Sequence, residues 1–195
     1  MIEYIRGIMT EASPTSVIVE CGGIGYEINI TLIDYGKIGE YLNKEVKFII
    51  YEVIREDSHI LYGFLSRKTR ELFKLLIGVS GVGPNTARLI LSSLTDEQLE
   101  ESVANGNDAY LKAVKGIGSK TAQRIIVDLK DKIKVTGSAF NMSAPTAGEA
   151  FEDSIAALVM LGFTSQQSQK VLKKIFASDP TLSTEKAIKL ALKML

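Results

Sequence analysis

Two glycine-flanked hairpins have the residue types and spacing best suited to binding chemistry. Residues 76–91 read LIGVSGVGPNTARLIL and residues 111–126 read LKAVKGIGSKTAQRII, so one pattern recurs after 35 residues. Each copy places a Gly-apolar-Gly triplet before a helical stretch. The glycines permit a tight turn, and the N-terminus of the following helix offers unpaired N–H groups to a phosphate. The pattern therefore predicts two phosphate contacts that read no base sequence.

The predicted phosphate-binding residues are the two triplets and the polar or basic residues that follow them. They are Gly81, Val82, Gly83, Asn85, Arg88, Gly116, Ile117, Gly118, Ser119, Lys120 and Arg124. The basic members should make binding weaken as salt rises, because phosphate contacts release counterions. A single Gly-x-Gly would equally suit a turn that only connects two helices, but duplication at a fixed offset favours a binding role.

Adjacent carboxylates at Glu56 and Asp57 are the second feature with chemical interest. They lie in the polar segment Arg55–Ser58 between two strand-like runs, where we expect a hairpin tip. Such a pair is most often a solvated turn, and neighbouring side chains diverge too much for a good metal site. Their repulsion of phosphates would act on any DNA duplex that approaches the tip.

The chain has few residues of the types that metal sites, disulfides and nucleophilic catalysis require. The chain has one cysteine, Cys21, and one histidine, His59, which excludes an internal disulfide and most zinc sites. We expect Cys21 to be buried at a strand end. Residues 118–121 lack the glycine directly before the lysine and the upstream glycine at the spacing of a P-loop, and residues 23–25 lack the third glycine of a dinucleotide fingerprint. We therefore expect no catalytic residue, metal or cofactor on this chain.

The charges are sorted along the chain, although they sum to zero. Of the 195 residues 46% are hydrophobic, and 23 basic residues match 23 acidic ones. The balance is −5 for residues 1–64, +4 for residues 65–136 and +1 for residues 137–195. Such sorting lets one molecule present an acidic and a basic face to a polyanion. No apolar run suits a membrane span and the N-terminal stretch does not resemble a secretory signal, so we expect a cytoplasmic protein.

The elements that position these residues change type along the chain, and the fold class is multidomain α+β. Residues 1–64 predict a five-stranded OB-fold β-barrel. Residues 65–136 predict an all-α domain with tandem helix-hairpin-helix motifs, and residues 149–195 a three-helix bundle. The uncharged stretch 137–148 has the composition of a flexible linker. The predicted strands are Glu3–Met9, Ser16–Cys21, Tyr26–Thr31, Val46–Ile54 and His59–Phe64.

Several helix ends can also be predicted. Ser66 is expected to cap the first helix of the all-α domain. The segments TDEQ at 95–98 and TSQQ at 164–167 have the spacing of capping boxes. Gly162 is expected to end a helix of the C-terminal bundle.

In combination and in order, these segments resemble the RuvA family of Holliday-junction-binding subunits. The resemblance covers the whole chain and rests on IRG near the N-terminus, GGIGYEI, REDSHILYGF and the hairpins GVGPNTA and GIGSKTAQRIIVDLKDK, followed by a linker and a small helical domain. It implies a non-enzymatic DNA-binding subunit with an OB-fold domain, a helix-hairpin-helix domain and a mobile C-terminal domain similar to ubiquitin-associated bundles. Asn85 and Ser119 stand where lysine is common in the family, which favours backbone donors over side-chain charge.

The resemblance also implies a set of partners. A homotetramer would bind a four-way junction, hold it open and recruit the hexameric ATPase RuvB for branch migration in recombination and repair. Two tetramers face to face are an alternative, and the resolvase RuvC is a further partner. ATP and Mg²⁺ would be used by RuvB. Glu56 and Asp57 would form an acidic pin at the tetramer centre, and Leu158, Leu161, Phe163 and Leu192 an apolar surface for RuvB, provided that each is exposed.

Two other classes of protein stay open on the residues alone. A stand-alone helix-hairpin-helix nuclease or glycosylase needs a carboxylate or lysine near a hairpin, often with a metal. The residues after the hairpins offer only Asn85 and Lys120, with no carboxylate cluster nearby. An adaptor without DNA affinity would leave the duplicated hairpins unexplained.

Overall fold

A computed structural model describes residues 1–138, 147–179 and 182–195, and it divides the chain into two compact units. The first unit is Met1–Ser138, so the barrel and the helix-hairpin-helix region share one body. The second unit is Ala139–Leu195. Most of the predicted linker lies outside the described residues, but its two ends belong to helices that end at Ser138 and begin at Ala147. None of the described helices is long and apolar enough to cross a bilayer.

The N-terminal residues form the predicted closed barrel of five strands. Its order is β1-β2-β3-β5-β4, and the last strand pairs back onto the first. Strands β3 and β5 pair in parallel, whereas the other neighbours are antiparallel. Closure pairs each strand of the sheet on both sides. The strands are β1 (Tyr4–Ala12), β2 (Ser16–Cys21), β3 (Ile24–Asn29), β4 (Glu45–Ile54) and β5 (His59–Phe64).

The barrel core follows the alternation of its strands. On β2, Val17 and Val19 are buried, while Glu20 is exposed. Cys21, at the end of the same strand, is exposed, so the expectation of a buried cysteine is wrong. It follows Glu20 on the last two positions of β2, where both side chains reach solvent.

A helix between β3 and β4 was not predicted. Helix α1 (Leu32–Ile38) leads into a 3₁₀ turn, Gly39–Tyr41. Its cap is Thr31, whose hydroxyl accepts a hydrogen bond from the N–H of Asp34 at 3.0 Å. The Asp34 carboxylate accepts one from the N–H of Leu65 at 3.4 Å, and burial raises the pKa of this carboxyl. Asp34 therefore links α1 to the chain that enters the helical region.

Five helices complete the first unit. They are α2 (Arg67–Ile77), α3 (Pro84–Ser93), α4 (Asp96–Ala104), α5 (Ala109–Ala113) and α6 (Ser119–Ser138). The predicted caps are confirmed. The Ser66 hydroxyl accepts from the N–H of Thr69 at 3.0 Å, and Thr95 forms a complete capping box with Gln98.

The helices share a core with the barrel, and Phe73 of α2 lies at the centre of the contact. Its ring is fully buried, with centroids 5.4 Å from Tyr51, 5.0 Å from Tyr62 and 5.0 Å from Phe64. These three rings come from β4 and β5. The hydrophobic cluster that contains them continues through the helices to Ile133 of α6. Burial of this cluster explains why barrel and helices form one unit.

The described residues of the second unit form three helices, the number predicted: α7 (Ala147–Met160), α8 (Ser165–Ser178) and α9 (Thr184–Ala191). The Thr164 capping box opens α8, and Gly162, with φ of 100°, follows the end of α7. Both features were expected from the sequence. The buried core comprises Ile155, Leu158, Leu172, Ile175, Ala187 and Ala191.

Candidate nucleic-acid interface

The two hairpins fold in the same way. The first glycine of each has a positive φ, 90° at Gly81 and 87° at Gly116, which residues with a Cβ rarely adopt. Each hairpin closes with an equivalent backbone hydrogen bond three residues apart. These bonds run from the N–H of Val82 to the Val79 carbonyl (3.0 Å) and from the N–H of Ile117 to the Val114 carbonyl (3.1 Å).

The apolar residue of each triplet is buried, contrary to the expectation that it contacts phosphate. Val82 is 4% exposed and Ile117 is 6% exposed, and both belong to the core cluster. Their N–H groups are used in the hairpin bonds. These residues therefore offer a phosphate neither a free N–H donor nor an accessible side chain. They anchor the turns instead.

The second glycine of each triplet faces open space. Gly83 and Gly118 are exposed, and Gly83 has φ of −86°, which any residue can adopt. A Cβ added at either position would meet no protein atom within 4 Å. The fold itself does not require glycine there. The bare backbone leaves room for a ligand to approach the helix that follows.

The helix N-termini supply the donors. In the first turn of a helix the N–H groups lack intrahelical acceptors. Helix α3 begins with Pro84, which has no N–H, so Asn85 and Thr86 remain as donors there. Helix α6 begins at Ser119, so Ser119 and Lys120 contribute with Thr121. The second hairpin thus offers one more donor than the first.

The predicted basic residues differ in what they contact. A guanidinium nitrogen of Arg88 donates to the Thr15 carbonyl at 2.9 Å and to Oδ1 of Asn29 at 3.1 Å, both on the barrel. Arg124 donates to the carbonyl and the hydroxyl of Ser80, both at 3.3 Å, and so joins α6 to the first hairpin. Sequence reasoning missed these partners, because local patterns carry no information on such distant contacts.

Two polar residues after the hairpins also differ. Asn85 accepts a hydrogen bond from the hydroxyl of Tyr62 at 3.0 Å. Lys120 is exposed and makes no hydrogen bond or ion pair to any described residue. Its ammonium group is free to meet an anion at the N-terminus of α6, where the helix dipole also favours negative charge.

The acidic tip is a short, well-anchored hairpin between β4 and β5. The N–H of Arg55 donates to the Ser58 carbonyl at 2.8 Å, and Glu56 and Asp57 between them are exposed. At its base, Glu52 accepts from the N–H of Ile2 at 2.6 Å and contacts the ring of His59 at 3.1 Å. The hydrogen bond from Ile2 is the main cause that lowers the pKa of the Glu52 carboxyl, and the contact with His59 lowers it further.

A metal centre finds no support in the described part of the chain. No three His, Cys, Asp or Glu residues there come together as a possible ligand set. Glu56 and Asp57 are both exposed to solvent at the tip between β4 and β5.

The predicted apolar surface of the second unit needs a correction. Leu158 is 0% exposed and lies in the bundle core, so it does not meet the condition of exposure. Phe163 is half-buried against the same core. Leu161 and Leu192 are 59% and 45% exposed, and they remain candidates. Met160, at 89% exposed, is an apolar neighbour of Leu161 that the sequence did not single out.

Comparison with known protein families covers both units. Residues 1–63 match the model of the RuvA N terminal domain, and residues 73–131 match that of a SAM-like helix-hairpin-helix tandem. Residues 149–195 match the RuvA C-terminal domain.

Individual relatives match along their entire length. A protein of Parabacteroides distasonis is 54% identical over 199 residues, and one of Bacteroides thetaiotaomicron is 49% identical over 203 residues. A protein of Porphyromonas gingivalis is 47% identical over 205 residues. Each alignment covers 100% of both chains, and each relative is named Holliday junction branch migration complex subunit RuvA.

The two glycines of each triplet should respond differently to alanine. Gly81→Ala and Gly116→Ala should each lower the free energy of unfolding by about 1–2 kcal/mol, because a Cβ is strained at these φ values. Gly83→Ala and Gly118→Ala should change it by less than about 0.5 kcal/mol. All 7 tyrosines lie within the first unit, so tyrosine fluorescence during urea unfolding reports on that unit alone. Equal losses at all four positions would contradict this division of roles.

Proposed function

This chain belongs to the RuvA family, and we propose that it is the subunit of a branch migration complex that binds Holliday junctions. One observation carries the proposal. Two hairpins of the same geometry each present an open glycine and first-turn amides on the surface. Backbone donors of this kind bind phosphates without reading bases. That property suits a protein that must hold a junction of any sequence.

We propose further that the protein works as a homotetramer on a four-way junction. One phosphate at one helix N-terminus is a weak contact, but linked contacts multiply in strength. A closed fourfold assembly would match the four arms of the junction, with two hairpins from each subunit. Either one tetramer or two tetramers face to face would enclose the junction, and the resolvase RuvC would act on the junction held in this way.

In this proposal the subunit is not itself an enzyme. ATP hydrolysis and its Mg²⁺ belong to the motor partner RuvB. Residues 118–121 lack the glycine directly before the lysine and the upstream glycine that a P-loop requires, which supports placing ATP binding on the partner. The exposed residues Leu161 and Leu192 support a docking role of the second unit toward RuvB.

The acidic tip would act by repulsion. Four subunits around one axis would bring together four copies of Glu56 and Asp57 close to DNA backbones. Like charges a few ångströms apart repel by about 1 kcal/mol in water, and by more where water is excluded. Four tips would therefore disfavour a continuous duplex at the centre and favour separated strands, as in an open junction.

The hairpin proposal predicts how alanine changes DNA binding. Gly83→Ala and Gly118→Ala should each weaken four-way junction binding about tenfold or more, because a Cβ displaces the phosphate from charge-assisted hydrogen bonds. The loss should be the same for junctions of different sequence. A gel shift against a duplex of equal length measures both the affinity and the preference.

Gly39→Ala is the matched control, since Gly39 also has open space around it and φ of −54° but lies outside the hairpins. This variant should bind like the wild type. A wild-type protein that binds junction and duplex equally would overturn the proposed function.

Neutralising the acidic tip should strengthen binding to ordinary duplex. Glu56→Gln with Asp57→Asn preserves size and removes two charges from each subunit. Duplex affinity should rise, junction preference should fall, and both effects should fade with salt as screening grows. Glu11→Gln with Glu40→Gln removes the same charge elsewhere on the barrel and is the control. Unchanged duplex affinity at low salt would refute the electrostatic role.

The docking proposal predicts different effects for the substitution of two leucines in the C-terminal bundle. Leu161→Ala should weaken binding to RuvB while junction binding and stability stay at the wild-type level. Leu158→Ala should instead destabilise the bundle by about 2–5 kcal/mol, because it leaves a cavity in the core. Pull-down of RuvB, junction gel shift and calorimetry on the full chain distinguish the two. Normal RuvB binding by Leu161→Ala would exclude this residue from the interface.

A further inference from the structure

One face of α3 is bound to the barrel by polar side chains. Asn85, Arg88 and Ser92 follow one another at intervals of three and four residues, so they share a face of the helix. All three make hydrogen bonds to barrel residues or to the segment that follows β3. We call these three residues the α3 seam.

The bonds of the α3 seam reach four separate places. Tyr62 of β5 donates its hydroxyl to Asn85 at 3.0 Å. Arg88 donates to the β1–β2 connection and to the end of β3, at 2.9 and 3.1 Å. Ser92 accepts from the N–H of Leu32, the first residue of α1, at 3.1 Å. Such bonds fix the rotation of α3 about its axis as well as its position.

The second hairpin provides an internal comparison. The residues 35 positions later are Lys120, Gln123 and Val127 on α6, and all three are exposed. None of them makes a side-chain hydrogen bond to any described residue. The equivalent helix face therefore forms hydrogen bonds with the barrel and α1 in the first copy and is exposed to solvent in the second.

The partners of Arg88 are the decisive detail. Its guanidinium is half-buried and meets a carbonyl and an amide oxygen, with no carboxylate. Asn85 likewise directs its acceptor at Tyr62, which is 2% exposed. Burial raises the pKa of the Tyr62 phenol, so the hydroxyl stays protonated and remains a donor. The side-chain oxygen of Asn85 and one guanidinium nitrogen of Arg88 are thus bonded to the protein itself.

From this comparison we infer that the side chains of Asn85 and Arg88 have a positioning role: they hold the first hairpin in register with the barrel instead of contacting phosphate, which is left to the backbone N–H groups. The inference rests on the proposed function and gives the two hairpins different parts in phosphate binding. The first hairpin binds through backbone donors that the α3 seam holds in place. The second adds the charge of Lys120 to its own donors. Arg124 joins the two by its contact with Ser80.

Positioning matters here because backbone donors cannot reach for a ligand. A site of this kind works only if its groups are held within about 0.5 Å of the productive geometry. The two hairpins must meet phosphates at a distance fixed by the DNA. Loss of one seam bond therefore lowers affinity even though no contact with DNA is removed.

The hydroxyl of Tyr62 gives a clean test, since a residue this buried cannot touch DNA. Tyr62→Phe in the full chain should weaken four-way junction binding about three- to tenfold, the value of one hydrogen bond. Asn85→Ala should give the same loss, and the double variant no further loss, because both remove one bond. Tyr51→Phe is the matched control: its ring also packs on Phe73, but its hydroxyl makes no hydrogen bond to α3.

Salt dependence separates positioning from phosphate contact. Each phosphate contact contributes about 0.9 to the slope of log affinity against log salt. Lys120→Gln should reduce that slope, whereas Tyr62→Phe and Asn85→Ala should lower affinity at every salt concentration and leave the slope unchanged. Arg88→Lys keeps the charge but replaces the planar guanidinium, one nitrogen of which donates to both Thr15 and Asn29, so it too should weaken binding with an unchanged slope.

The results of these experiments test the inference separately from the proposed function on which it rests. If the wild type shows no junction preference, the proposed function fails and the inference with it. If the wild type binds junctions but Tyr62→Phe binds equally well, the inference alone is overturned. A salt slope that Asn85→Ala reduces as much as Lys120→Gln does would likewise overturn the inference alone. Binding is measured at a temperature well below the thermal unfolding midpoint of every variant, so that a smaller fraction of folded protein does not explain a loss of affinity.

Discussion

The packing of Phe73 against the barrel is the contact on which the rest of the first unit depends. One fully buried ring on α2 meets three aromatic rings of β4 and β5 at 5.0–5.4 Å. Aromatic pairs of this kind add about 0.5–1.5 kcal/mol each beyond the area they bury. Helix α2 leads directly into the first hairpin through Leu76 and Val79, both buried. The barrel thereby sets where the hairpin lies.

The two copies of the helix-hairpin-helix motif in this unit differ in what their second helices contact. The backbone geometry of the hairpins is nearly identical, as the φ values of Gly81 and Gly116 show. Their surroundings are not, because α3 faces the barrel and the equivalent face of α6 faces solvent. Duplication supplies two turns of the same geometry, for which we propose phosphate binding, and in that proposal the asymmetric packing holds the first turn fixed against the barrel. A protein that must grip any sequence gains by fixing distances rather than by reading bases.

Much of this architecture could be predicted from the sequence. The barrel, the helical switch near residue 65 and the caps at Ser66, Thr95 and Thr164 follow from local residue patterns, which act over a few residues. Helix α1 was missed because its cap, Thr31, continues the apolar run of a strand. The alternation through Ile28 and Ile30 concealed the helix start.

The candidate site was harder to predict, because side-chain partners are set by tertiary packing. Arg88 was assigned to phosphate by its type and position, yet its acceptor Thr15 is 73 residues away. The apolar residues of the triplets were assigned with their glycines, although burial removes them from the surface. Leu158 and Leu161 are three residues apart, and only the packing of the bundle decides that one is core and the other exposed.

Hydrogen–deuterium exchange of the full chain, with and without a four-way junction, tests the central claim most directly. The claim is that first-turn amides of α3 and α6 hold the DNA backbone, on both hairpins at once. Exchange should slow in residues 81–87 and in residues 116–122 together, with residues 147–179 unchanged. Protection of one hairpin without the other, or protection confined to residues 147–179, would contradict the account.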